Sequence, residues 1–117
     1  MAIQAAKIIR ETLELQGFEL SGTWPRWCLQ REVGGFMEKV ELLTEATQKD
    51  GRDIRRMNVN FALRRLHSEV DLWMNRPYEE WFDYDREETL RAELHSCMSR
   101  IQSEVLPWMK RMREGQR

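Results

Sequence analysis

Residues 36–63 read FMEKVELLTEATQKDGRDIRRMNVNFAL, and this stretch decides the fold. Apolar and polar residues alternate over 36–46 and again over 54–63, which is the period of a half-buried strand. The first apolar face also carries Glu38 and Thr44. Asp50-Gly51 lies between the two runs, and this dipeptide favours a tight turn. The stretch therefore predicts an antiparallel hairpin.

The residues before the hairpin predict one more strand and one helix. Residues 24–31 are rich in aromatic side chains, and Pro25 restricts them to an edge strand or to the beginning of a strand. Residues 2–16 have the apolar spacing of an amphipathic helix. We expect this helix to end with Gly17 at C′, where a glycine adopts positive φ without strain.

After the hairpin, the sequence predicts one stretch of ambiguous secondary structure followed by a long helix. Residues 64–76 fit a helix and a strand equally well, and intrinsic propensity favours the helix. Residues 86–106 predict a long helix, with Asp85 as N-cap and Glu88 closing a capping box. We expect Pro107 to kink or restart this helix near Leu106, and the end of the chain to fray.

These elements predict an α+β fold in a single domain spanning residues 1–117. An N-terminal helix precedes a three- to four-stranded antiparallel meander, and a long C-terminal helix packs on one face of the sheet.

The composition of the chain argues against several functional classes. The chain has 117 residues with 19 basic against 20 acidic side chains, whereas a dedicated nucleic-acid-binding protein usually carries a basic excess. No apolar run reaches the ~18 residues of a membrane span, and the charged N-terminus does not resemble a signal peptide. Cys28 and Cys97 form no paired motif, so we expect free thiols and a cytoplasmic location.

The sequence contains no recognisable catalytic constellation. Two Cys and two His are spread over the chain, and the His95–Cys97 spacing places the two side chains on different sides of a helix. No phosphate-binding glycine loop, dinucleotide-binding motif or zinc-protease motif occurs. We therefore predict that the chain is not an enzyme and that it has no catalytic residue, cofactor or metal site.

The densest aromatic cluster predicts a contact surface for a protein partner. Aromatic side chains are flanked by acidic ones there, in a run that would suit a partner rich in arginine: Tyr78, Glu79, Glu80, Trp81, Phe82 and Tyr84. The alternative is that Trp81 and Phe82 fill the bottom of the core. The enrichment in Arg (15) over Lys (4) and the 5 Trp also favour an interface.

An alternative contact surface lies in the basic stretch Arg52–Arg65. Together with Trp24 and Trp27, its arginines could bind single-stranded nucleic acid: Arg55, Arg56, Arg64 and Arg65. Glu38, Glu41 and Glu45 lie on the neighbouring strand, and cross-strand ion pairs with these arginines are the favoured interpretation.

The order of elements resembles a family of uncharacterised bacterial domains of unknown function. The matching positions are Gly17-Phe18, Gly22, Trp24, Arg26, residues 40–43, residues 57–61, Trp81 and residues 106–108. The resemblance implies an N-terminal helix, hairpin strands and a long C-terminal helix. It implies no established reaction, so it assigns no catalytic residue.

The leading hypothesis is a small protein-interaction module, such as an inhibitor or immunity-type protein of bacterial or phage origin. A second copy of the chain is among the candidate partners. The alternatives are nucleic-acid binding through the arginines above, and an unrecognised enzyme or small-ligand binder.

Overall fold

The computed structural model describes residues 3–74 and 81–115 and confirms the α+β fold. Its helices are α1 (Ala5–Thr12), α2 (Glu87–Arg100) and α3 (Leu106–Gly115), and a π-helical turn (Ile101–Val105) joins the last two. Its strands are β1 (Glu19–Thr23), β2 (Arg26–Val33), β3 (Phe36–Lys49), β4 (Arg52–Arg65), β5 (Asp71–Trp73) and β6 (Trp81–Tyr84).

The strands form one antiparallel sheet that is larger than the predicted meander. It has six strands in the order β1-β2-β3-β4-β5, and β6 also pairs with β4. β5 pairs with residues 62–64 of β4 and β6 with residues 55–58, so the two short strands follow one another along the same side of β4.

The predicted hairpin is confirmed and extends beyond both predicted runs. β3 and β4 pair along their full length, from Phe36↔Arg65 to Lys49↔Arg52. Asp50 and Gly51 both have positive φ (54° and 77°), as a two-residue type I′ turn requires. This long ladder positions every other element of the sheet.

The core lies on one face of the sheet, beneath all three helices. Apolar side chains of β2, β3 and β4 pack there against α1, α2, the π-helical turn and α3. Glu38 and Thr44 are also buried on this face, at 0 % and 1 % exposure. The other face carries no helix within the described residues, and we call it the open face.

The first half of the chain departs from prediction at two elements. α1 ends at Thr12 rather than near residue 16, because Leu13 and Leu15 are both buried and two residues so spaced cannot share one face of a helix. Gly17 does have positive φ, but it lies in a turn after the helix. β1 was not predicted, because Ser21-Gly22 suggests a turn. β2 begins just after Pro25 and is an interior strand, since it pairs with both β1 and β3.

Over residues 64–74, the described part of the ambiguous stretch, the chain forms a strand end, a turn and a short strand, so the preference for a helix is wrong there. β4 continues to Arg65, His67 turns the chain with φ 67°, and β5 returns along β4. Pairing with a long, already buried strand outweighs a weak helical propensity.

The C-terminal helix is interrupted where Pro107 predicts it. The π-helical turn ends at Val105, and α3 then restarts at Leu106 and continues to Gly115 instead of fraying from residue 111. The predicted capping box is absent. Arg86 is the N-cap, and Asp85 accepts a hydrogen bond from Thr89 Oγ1 at 3.2 Å. No helix in the described ranges is long and apolar enough to cross a membrane.

Candidate functional site

The predicted aromatic contact run is divided between two faces of the sheet. Tyr84 is 1 % exposed, and its hydroxyl forms a hydrogen bond with Thr44 on the core face. Phe82 lies on the same side, with its ring 6.1 Å from that of Tyr84. Burial therefore removes Tyr84 from the predicted contact surface, and Phe82 packs against the core. Tyr78, Glu79 and Glu80 lie outside the described residues.

Trp81 points to the open face, as strand alternation requires. The Arg56 guanidinium lies 5.0 Å from its ring centre, which is a cation–π contact. Arg56 also lies 3.9 Å from Glu45 and 3.8 Å from Asp83. The half-buried Trp81 is thus part of a local cluster in which one arginine lies near two carboxylates.

The four arginines of the nucleic-acid hypothesis do not form one surface. Arg56 and Arg64 are separated by about 26 Å along β4, at ~3.3 Å per residue. Arg55 lies 4.7 Å over the Trp24 ring, Arg65 lies 5.7 Å over Phe36, and Arg64 donates to Asp71 at 2.7 Å. Each guanidinium therefore has an intramolecular contact in place of a shared binding face.

Of the three acids predicted to form cross-strand ion pairs, Glu45 forms the expected pair, with Arg56 at 3.9 Å. Glu41 Oε1 instead lies 3.0 Å from Lys39 on its own strand. Glu38 pairs with Arg31, which lies directly opposite it in the β2–β3 ladder. The prediction that these acids form ion pairs is correct, but the predicted partners of Glu38 and Glu41 are wrong.

A polar network occupies the open face beside β5. Lys39 Nζ donates to Asp71 Oδ2 at 3.1 Å, and Arg64 donates to the other oxygen of the same carboxylate. Burial alone would raise the pKa of Asp71, but these two hydrogen bonds hold it below its usual value. Burial would likewise lower the pKa of Lys39, but its bonds to Glu41 and Asp71 raise it. The network therefore keeps its charges fixed near neutral pH.

Cys28 lies opposite Glu41 in the β2–β3 ladder. Burial and the Glu41 carboxylate raise the pKa of its thiol, and the thiol contacts the Leu29 carbonyl oxygen at 3.7 Å. A nucleophilic cysteine needs the opposite shift. Among residues 3–74 and 81–115, no group of three His, Cys, Asp or Glu side chains could bind a metal ion.

A buried ion cluster joins the core face of the sheet to α3. Glu38 Oε1 accepts hydrogen bonds from Arg31 at 2.6 and 2.9 Å. Arg113 Nε lies 3.3 Å from the other carboxylate oxygen, although without hydrogen-bond geometry. Both arginine side chains are largely covered, at 28 % and 16 % exposure. This cluster links β2, β3 and α3 through one buried carboxylate.

The most exposed apolar surface in the described residues lies at the end of the sheet. Among the described residues, four large hydrophobic side chains are exposed. One is Trp24, and the other three lie within residues 70–73: Val70 at 75 %, Leu72 at 38 % and Trp73 at 46 %. We call residues 70–73 the β5 edge. An apolar patch on an outer strand is typical of an interaction site.

The backbone of the β5 edge also points outward. Met74 N donates to Phe61 O at 2.9 Å, and Leu72 pairs with Leu63. Bonded and non-bonded pairs alternate along an antiparallel ladder, so the N–H and C=O groups of Asp71 and Trp73 point away from β4. In the described part of the chain, no strand pairs with this side of β5.

An open groove of about 300 Å³ adjoins the β5 edge. Its lining is partly apolar: Phe36, Leu63, Arg65, Ser68, Val70, Asp71 and Leu72. The alternation of Val70 and Leu72 with polar neighbours was visible in the sequence. Their exposure was not, because it depends on where the sheet ends.

No model of a known protein family matches the chain, and comparisons with curated proteins and with solved structures find no similar protein. The resemblance to the bacterial domain family therefore stays a prediction.

Proposed function

We propose that the chain is a protein-interaction module that binds an extended segment of a protein partner as an additional strand along the β5 edge. The observation that carries this proposal is the concentration of exposed Val70, Leu72 and Trp73 on an outer strand. An inhibitory or immunity-type role is one biological use of such binding.

The backbone and the side chains of the β5 edge support the proposal in different ways. The outward amide and carbonyl groups of Asp71 and Trp73 supply affinity that does not depend on the partner's sequence. Val70 and Leu72 point to one side of the added strand, beside the groove, and favour apolar partner residues there. Trp73 points to the open face, where an aromatic or arginine side chain of the partner could stack on its ring.

The energy of such binding comes mainly from the apolar side chains. A large apolar side chain contributes about 1.5–3 kcal/mol when it moves from full exposure to full burial. Since these three side chains retain between 38 % and 75 % of their exposure, about half of that range is still available from each. The three side chains together therefore contribute about 2–5 kcal/mol, and the rest of the binding energy has to come from the backbone bonds and from further contacts of the partner.

The test uses a display library of random linear peptides selected against the wild-type protein. Selected peptides are then titrated against Val70→Lys and Trp73→Ser, and we expect each variant to bind about tenfold more weakly, equivalent to about 1.4 kcal/mol. Trp24→Ser is the matched control, because Trp24 and Trp73 are almost equally exposed, at 48 % and 46 %. Circular dichroism confirms that each variant is folded.

The proposal is wrong if selected peptides bind Val70→Lys and Trp73→Ser as tightly as wild type, or if Trp24→Ser weakens binding as much as Trp73→Ser. Light scattering of the unliganded protein tests whether the partner is a second copy. A dimer that Val70→Lys dissociates would identify the β5 edge as its interface. The nucleic-acid alternative has less support, because its arginines are dispersed and already in contact with acids or rings.

A further inference from the structure

A second groove lies at the opposite side of the molecule, between α1 and the turn that joins β1 to β2. It has a volume of about 480 Å³, within the ~300–1,000 Å³ range of small-molecule sites. On the helix side it is lined by Lys7 and Arg10, and on the sheet side by Trp24 and Trp27. We call it the α1 groove.

The aromatic side of the α1 groove is preorganised. The Trp24 and Trp27 rings meet edge to face, with centres 5.9 Å apart and planes at 78°. Trp27 is 5 % exposed and fixed in the core, whereas Trp24 remains 48 % exposed. The Arg55 guanidinium lies 4.7 Å over the Trp24 ring, so one face of the indole is in contact with an arginine. The exposed part of the indole is a surface on which a planar ring can stack.

The helix side of the α1 groove is cationic. Among residues 3–74 and 81–115, no acidic side chain lines it, although the chain as a whole has 20 acidic against 19 basic side chains. Arg10 is exposed and has no hydrogen bond or ion pair with any described residue. Lys7 has only a 4.0 Å contact with Glu11, and such exposed pairs are weak. Both cations are therefore available to an anionic group.

We infer that the α1 groove binds a nucleoside phosphate. The base stacks on Trp24, and the phosphate is bound by Arg10 and Lys7, three residues apart on one side of α1. The same chemistry is offered by a free mononucleotide and by the terminal nucleotide of a single strand. The free nucleotide is the better fit, because Arg55 already lies over the Trp24 ring without lining the groove, and Arg64 and Arg65 contact Asp71 and Phe36 elsewhere on the sheet.

The test is a titration followed through the indole N–H signals of the five tryptophans in two-dimensional NMR. ADP is the probe, with adenosine, inorganic pyrophosphate and a 5′-phosphorylated oligonucleotide as the comparison arms. We expect ADP to shift the signals of Trp24 and Trp27 saturably and to leave that of Trp73 unchanged. Adenosine and pyrophosphate should each bind at least about tenfold more weakly than ADP, because each lacks one of the two contacts.

Arg10→Glu should weaken ADP binding by at least about tenfold. The control is Lys110→Glu, a charge reversal at an exposed site outside the groove, and its affinity for ADP should stay within about twofold of the wild-type affinity. Equal weakening by the two variants, or no saturable shift of Trp24, would overturn the inference. Tighter binding of the oligonucleotide than of ADP would overturn the assignment to a free nucleotide. Trp73→Ser should bind ADP normally, which separates this site from the β5 edge.

Discussion

Replacing Glu38 with Gln should destabilise the protein more than any single change at its surface. Glu38 is completely buried, and its carboxylate lies between the guanidinium groups of Arg31 and Arg113. The amide keeps the shape of the side chain but removes its charge, so two largely covered cations lose their counter-ion. Uncompensated buried charge is the most costly result of breaking an ion pair.

The size of the effect follows from the exposure of the two arginines. Removing one partner of a fully buried pair costs about 3–5 kcal/mol. Arg31 and Arg113 keep 28 % and 16 % of their side-chain exposure, so they can recover part of their hydration. We therefore expect a loss of about 2–3 kcal/mol, or a fall in Tm of about 10 °C for a chain of this length.

The assay is urea unfolding followed by tryptophan fluorescence and by far-ultraviolet circular dichroism. A double-mutant cycle between Glu38→Gln and Arg113→Gln should give a coupling energy of about 1–2 kcal/mol. Replacing all three members with Leu or Met should restore most of the stability, since well-packed apolar residues substitute for a buried pair at little cost.

The control is the pair between Arg91 and Glu11, which is equally short at 2.7 Å but 37 % and 41 % exposed. Arg91→Gln should cost less than about 1 kcal/mol. The reasoning is refuted if Glu38→Gln costs no more than Arg91→Gln, or if Glu38 and Arg113 show no coupling.

Three further predictions concern other parts of the sheet. The pKa of Asp71 is lowered in the folded state, so the carboxylate stabilises the fold above its usual pKa of 3.8, and this contribution is lost as pH falls through the folded-state pKa. In acid unfolding curves, the stability of wild type should therefore fall more steeply below about pH 4 than the stability of Asp71→Asn. Thr44→Val removes the hydrogen bond to the buried Tyr84 hydroxyl and should cost about 1–2 kcal/mol in urea unfolding, and a neutral result would contradict the bond. Gly51→Ala should cost about 1 kcal/mol from its φ of 77° alone, since no atom lies within 4 Å of the added Cβ, and an unchanged Tm would exclude the type I′ turn.

Local patterns in the sequence predicted the elements whose formation depends mainly on neighbouring residues. The alternation over 36–63 and the Asp50-Gly51 step specified the hairpin, because side-chain period and turn conformation act within a few residues. Pro107 specified the break in the C-terminal helix, because it lacks the N–H that the preceding turn requires. These signals were sufficient for the α+β class.

Contacts between residues distant in the sequence determined the ion-pair partners, the orientation of side chains and the short strand that the local patterns did not predict. Glu38 lies on an apolar face in the sequence, but only the fold brings Arg31 and Arg113 to its two oxygens. The aromatic run near Trp81 suggested one surface, and strand alternation then placed Trp81 and Tyr84 on opposite faces. β5 forms because it pairs with β4, although the composition of residues 64–76 as a whole favours a helix.

The two proposed sites show the same division. The sequence alone determined which residues have suitable chemistry: apolar Val70 and Leu72, the tryptophans, and the cations of α1. Only the tertiary structure decided which of them stay exposed and together, because exposure depends on where the sheet ends and how α1 packs beside the β1–β2 turn. Burial and proximity depend on contacts between residues that are far apart in the sequence, so a local pattern of apolar and polar residues does not predict them.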